Sequence, residues 1–220
     1  MGIISVDQAD RLFWLGRYSE RVYTTLRLYS KSFDSMIDEI ADSYQSFCKM
    51  IDIPDIYGSK EVFQKAYPFD EANPDSIISN LLHAYDNAIV LREEIGSETL
   101  SYVQLAVYDM NRAKISRSPL IDMQRVIDNI LAFWGIADDQ IDSEQVRNMI
   151  KAGKRVERVD LYARLGAPVK ELQREINRLV PRVMRSRINY HEESLTNLQK
   201  LVTQPEVDYY KIVNEVEHIV

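Results

Sequence analysis

A single cysteine, Cys48, occurs in the 220 residues, so the chain can neither close a disulfide on itself nor assemble its own thiolate cluster. A reducing cytoplasm suits such a chain and is the expected location. Only three histidines are present, His83, His191 and His218, too few for a convincing zinc site, and no metal or other cofactor is expected. Basic residues are outnumbered 27 to 34, for a net charge of −7. The phosphate-neutralising excess of a nucleic-acid binder is therefore missing, and the same deficit argues against an anionic membrane surface. No window approaches the ~20 apolar residues of a membrane span. Met1 to Ser5 has no basic flank and no long apolar core, so no secretory signal is expected there. A glycine-rich phosphate loop is also lacking.

Glycine and proline are scarce as well, with seven of each, while Leu, Ile, Glu, Arg and Lys are abundant. That balance predicts an all-α bundle of about six or seven helices. With no low-complexity stretch and no long linker, it reads as one domain over residues 1–220. Ser5 and Gln8 have the spacing of a capping box, and apolar or small residues then recur at Leu12, Leu15, Gly16, Ser19, Val22, Leu26, Phe33, Met36, Ile37 and Ile40. The spacing predicts one helix from there to about Cys48. Pro54, Gly58 and Pro68 mark a loop over 51–73 enclosing a short helix near Ser59 to Ala66. Asn73-Pro74 predicts the start of a helix to Ile95, with periodicity resuming from Glu98 to Ala113 after Gly96. Ser118-Pro119 opens another, ending near Gly135, and Asp142 with Gln145 caps one that reaches Leu165. Pro168 opens the next, which Pro181 is expected to kink or divide. Gln204-Pro205 separates a last helix.

One motif occurs twice. Gly16-Arg17-Tyr18-Ser19-Glu20-Arg21-Val22, followed by Arg27-Leu28, returns as Gly153-Lys154-Arg155-Val156-Glu157-Arg158-Val159, followed by Arg164-Leu165. The offset is constant, 153 − 16 = 137, and Gly, Glu, Arg, Val, Arg and Leu are identical at the matched positions. About one identity would be expected by chance over such a length. The repeat implies two helices built alike, related by a pseudo-two-fold axis.

Neighbours on a helix point about 100° apart, so Glu20 and Arg21 do not pair with each other, nor do Glu157 and Arg158. Glu20 and Arg27 share one edge of the apolar stripe with Gly16, while Arg17 and Arg21 face the other way. Glycine inside a helix costs roughly 1 kcal/mol relative to alanine, which makes sense where another backbone approaches closely. Two antiparallel helices crossing at Gly16 and Gly153 would bring Glu20 to Arg158 or Arg164, and Glu157 to Arg21 or Arg27. Such a meeting place is either a buried ion-pair lock or a site that recognises an anionic group and moves a proton.

Leu12-Phe13-Trp14-Leu15-Gly16-Arg17-Tyr18-Ser19-Glu20-Arg21, with the Glu157-Arg158 return, resembles the bacterial alpha-E family, named for a helical domain with a Glu-Arg motif. Asn87-Ala88 with Arg92, Glu93, Ser97 and Glu98 is similar to its middle motif. The family has no established activity. Its members are encoded beside or fused to ATP-grasp ligase-like and transglutaminase-like proteins, which implies a role in making or modifying peptides. The leading expectation is a binding or assembly component for such partners. An enzymatic alternative assigns acid/base work to Glu20 or Glu157. Arg17, Arg21, Arg92 and Arg158 would then hold an anionic substrate, with Arg27, Glu98 and Arg164 as further contacts. A structural homo-oligomer is the third reading.

Two other patterns are weaker. Glu215-x-x-His218 has the form of one half of a di-iron motif, but its second copy is missing. Arg174, Arg178, Arg182 and Arg185 form a stripe interrupted by Glu171 and Glu175, as on a solvated or partner-facing helix.

Overall fold

The computed structural model describes residues 4–37 and 43–220. Eleven α-helices occur among them. The first four are α1 (Val6–Ile37), α2 (Ser43–Met50), α3 (Lys60–Ala66) and α4 (Ile77–Val90). Then come α5 (Arg92–Ile95), α6 (Ser97–Lys114), α7 (Pro119–Gln140) and α8 (Glu144–Arg164). The last are α9 (Val169–Ser186), α10 (Glu192–Leu201) and α11 (Tyr209–Glu217). No strand occurs among the described residues, and none of their helices is long and apolar enough to cross a membrane.

The helix count exceeds the six or seven expected, for local reasons. Gly96 takes φ +81°, a left-handed value that an ordinary side chain resists, and it ends α5 before α6 starts, while the helix expected from Pro74 to Ile95 is divided earlier, at Leu91. α4 itself starts three residues late. Ser76 is its cap, with Oγ accepting from the Ser79 amide at 3.1 Å, while Asn73 closes the preceding turn by accepting from the Asp75 amide at 2.9 Å. The capping box at the head of α1 forms in both directions: the Ser5 amide donates to Gln8 Oε1 at 2.9 Å and the Gln8 amide to Ser5 Oγ at 3.1 Å. Ile40 of the expected stripe, and the side chains of Met36 and Ile37, lie outside the described residues. α7 runs past Gly135 to Gln140, and α8 is capped by Ser143 rather than Asp142. α9 passes through Pro181 undivided. Leu172, Ile176, Leu179 and Val183 stay buried on one face across the proline, and that burial outweighs the lost hydrogen bond.

Two compact units are formed. One comprises the chain up to Glu20 with Ile141–Val220, the other Arg21–Gln140, so α1 contributes its first turns to one and the rest to the other. In the first unit α8 packs against α9 and α11, and α10 against α9 and α11. Phe13, Val156, Ile176, Leu198 and Ile212 are among its core residues. In the second unit α6 packs against α4 and α7, and an aromatic cluster fills the space near α2 and α3. Phe63 stacks on Tyr67 with ring centroids 4.8 Å apart, and Phe47 meets both rings edge-on. The buried Tyr29 hydroxyl is satisfied by donating to the Gln64 carbonyl at 2.8 Å.

Candidate functional site

The repeated motif puts its two glycines against each other's helices. A Cβ on Gly16 would overlap the Ile150 carbonyl oxygen and lie 2.9 Å from the Lys154 amide nitrogen; one on Gly153 would overlap the Phe13 carbonyl oxygen and lie 3.1 Å from the Arg17 amide nitrogen. These contacts are reciprocal. Each glycine meets the residue three before and the residue one after its counterpart. The backbones of α1 and α8 therefore touch within the first unit, and this is what the two in-helix glycines are for.

Just beyond the glycines two ion pairs close. Arg158 donates from Nε to Glu20 Oε1 at 2.6 Å, and Arg17 donates from Nε to Glu157 Oε2 at 2.8 Å. Both carboxylates are fully buried, while the Arg17 and Arg158 side chains keep 13% and 16% exposure. Carboxylates so deep need charge-assisted partners, and each obtains one from the other motif copy. The Arg17 guanidinium also lies over the Trp14 ring, 4.7 Å from its centroid, so its edge serves Glu157 while its face rests on the indole.

These pairs correct the expected helix direction. In an antiparallel crossing, residues after one glycine face residues before the other. Here Glu20 and Arg158 both follow their glycines, as do Arg17 and Glu157. At the other end Ala9, Asp10 and Phe13 line one cavity together with Gln145 and Met149. The first turns of α1 and the body of α8 thus run in the same general direction.

The charged cluster extends further than the motif. Glu175, on α9, is 1% exposed and faces Arg155, donates nothing itself, and accepts from Arg178 Nη1 at 3.0 Å, with Arg158 Nη1 at 3.9 Å and Arg174 Nε at 3.4 Å. Burial pushes its carboxyl up, but Arg155, Arg158 and Arg178 together hold it below the ordinary value. Burial lowers the Arg155 guanidinium, and Glu175 offsets only part of this. For Arg158 burial acts downward too, yet Glu20 and Glu175 carry it above the usual arginine value. On the other side Asp160 accepts from Arg164 Nε at 2.9 Å and lies 4.0 Å from Arg17 Nη2, while Arg164 Nη2 reaches Glu217 Oε1 at 2.5 Å. Burial, reinforced by Glu157, raises the Asp160 carboxyl despite Arg164 and Arg17.

Four of the sequence candidates are therefore brought together: Glu20, Glu157, Arg17 and Arg158. Arg164 joins through Asp160. Within the first unit Arg17 engages Glu157, although the helical-face reading turned it away; three residues from Glu20, it lies about 60° from it around α1 and borders the face that Gly16 sets against α8. Arg21 and Arg27 belong to the second unit, where Arg21 donates to Asn80 Oδ1 at 3.4 Å and Arg27 to the Tyr23 hydroxyl at 3.0 Å. Arg92 and Glu98 are exposed there, and Arg92 donates to Ser97 Oγ at 3.0 Å. Sequence reasoning missed Glu175 as a hub, though a signal existed: it sits three residues after Leu172 and one before Ile176, on the apolar stripe of α9. Among the described residues no group of three or more His, Cys, Asp or Glu side chains is placed to hold a metal ion.

Alpha-E, described as "a predicted alpha-helical domain with a conserved ER motif", is the family whose profile matches, over residues 8–200. Both motif copies fall inside that span. No curated protein and no solved structure matches the chain.

Proposed function

We propose, from the premise that the chain belongs to the Alpha-E family, that it is a binding or assembly subunit of a bacterial peptide synthesis or modification system. ATP-grasp-like ligases and transglutaminase-like proteins are the partners that would perform the chemistry. The two motif copies, related by a local pseudo-two-fold axis running along α1 and α8, act as a lock that holds the fold on which those partners assemble. The partner system rests on the family resemblance, and one observation supports the lock: Glu20 and Glu157 are both fully buried, and each is engaged by an arginine from the other copy. A general acid or base must come within hydrogen-bond reach of the substrate proton it moves. Carboxylates already held in this way, with no exposed surface, suit a register-fixing network better than proton transfer.

The test is to purify Glu20→Gln and Glu157→Gln and compare melting, together with capture of ATP-grasp ligase-like and transglutaminase-like proteins from the same organism. A lock predicts a large fall in melting temperature, with capture lost only as the fold is lost. Variants that melt like the parent but abolish a reaction reconstituted from the set would overturn the lock in favour of catalysis. The assembly role fails if the parent captures none of those proteins and the reconstituted reaction proceeds unchanged without it.

A further inference from the structure

The second unit holds a cavity of about 780 Å³ between α1, α3 and the segment joining α6 to α7. That size lies in the range of small-molecule sites, roughly 300–1,000 Å³. Its wall is apolar: Tyr29, Phe33 and Phe69 contribute rings, and Leu120, Ile121 and Met123 aliphatic surface. Three cations, Lys65, Lys114 and Arg117, line the same cavity, and among the described residues none of its lining is acidic. In a chain of net charge −7 this is a local reversal of sign. Among the described residues Glu71 stands near, at 3.8 Å from Lys114 Nζ across a half-exposed pair, which leaves Lys65 and Arg117 as the principal rim charges. The N-terminus of the 22-residue helix α7 opens at Pro119 on the same rim and adds its positive end.

We propose that this cavity binds a small carboxylate with an apolar body, an acyl or aryl acid, its tail against Phe33, Phe69 and Met123 and its head between Lys65 and Arg117. The site stands apart from the Glu-Arg motif and does not depend on the role given to it. A cationic amphiphile would leave the rim charges uncompensated, and a plain anion would leave the apolar wall unused.

Decanoate is the probe, with decan-1-ol and inorganic phosphate as controls, titrated calorimetrically into the full chain and into Lys65→Gln/Arg117→Gln. Both substituted side chains are exposed, and matched melting curves will establish that the variant is folded. Decanoate should bind saturably and about tenfold or more tighter than decan-1-ol, the preference expected from one charge-assisted contact. The double variant should lose about that factor for decanoate and none for decan-1-ol. Equal binding of acid and alcohol overturns the proposal, as does an unchanged decanoate affinity in the variant. Saturation by phosphate at the decanoate concentration would reduce the cavity to a plain anion site, and no saturable decanoate binding below its micellar range would remove it altogether.

Discussion

Glu20 of the first motif copy and Arg158 of the second meet at 2.6 Å, with the carboxylate fully buried and the guanidinium at the edge of solvent. The Glu and Arg that give the motif its character are adjacent in sequence, yet each is satisfied from elsewhere. Arg158→Met should therefore take a charge-assisted partner from a fully buried carboxylate and cost about 3–5 kcal/mol, the usual result of removing one member of a buried pair. Pairing it with Glu20→Leu should recover most of that loss, because the buried carboxylate goes too. Urea unfolding of the parent, the two singles and the double measures the coupling; a double variant as unstable as the sum of the singles would contradict it.

The glycines give a sharper contrast. Gly16→Ala and Gly153→Ala each drive a Cβ into a carbonyl oxygen of the other helix, so both should destabilise strongly, and similarly, because the contacts are reciprocal. Gly135 lies in α7 with nothing within 4 Å of the position a Cβ would occupy. Gly135→Ala should stabilise by about 0.5–1 kcal/mol through helix propensity. Thermal melts of the three variants decide the matter, and an innocuous Gly16→Ala would refute the close crossing.

Acid should open the cluster at Glu175. Its folded pKa is depressed, so its contribution is present above the ordinary glutamate value of about 4.3 and is lost as pH falls through the depressed one. Glu175→Gln should be less stable than the parent at neutral pH, with the two curves converging in acid. Asp160 carries the opposite sign. Its raised pKa makes its contribution complete below the ordinary aspartate value and lost as pH rises through the folded one. Asp160→Asn should therefore cost less at pH 7 than at pH 4, and denaturant titrations across that range would show both trends.

Arg92 and Glu98 offer a negative control. Both are exposed in the second unit, and Arg92 makes a local contact to Ser97. Arg92→Ala and Glu98→Gln should change stability by no more than about 0.5 kcal/mol in chemical denaturation. A loss of several times that size would place them in a load path the contacts do not suggest.

Cys48 is buried, and its burial, followed by the nearby Asp55 charge, pushes the thiol up to about 11. At pH 8 it should react with a disulfide reagent far more slowly in the native chain than in denaturant, because the thiolate is both scarce and shielded. Equal rates in the two states would show that the α2 region opens readily.

How much of this was legible beforehand follows from what helical periodicity can encode. The all-helical class, the capping box at Ser5 and Gln8, the short helix after Ser59 and the meeting of Gly16 with Gly153 are all local or pattern-borne, and the chain states them by itself. Spacing along a helix says which residues share a face. It cannot say in which sense two helices run when those faces meet, and here they run together rather than opposed. Nor can it rank several long arginines for one glutamate: Arg17 engages Glu157 because α8 packs on the face that Gly16 and Glu20 share, and Arg17, three residues before Glu20, borders it. Glu175, which looked like an interruption in an arginine stripe, became the hub because α9 turns its apolar face, and the glutamate with it, into the core beside Arg155 and Arg158. Charges separated by well over a hundred residues acquire their partners only when packing removes the water around them, and that choice belongs to the tertiary structure.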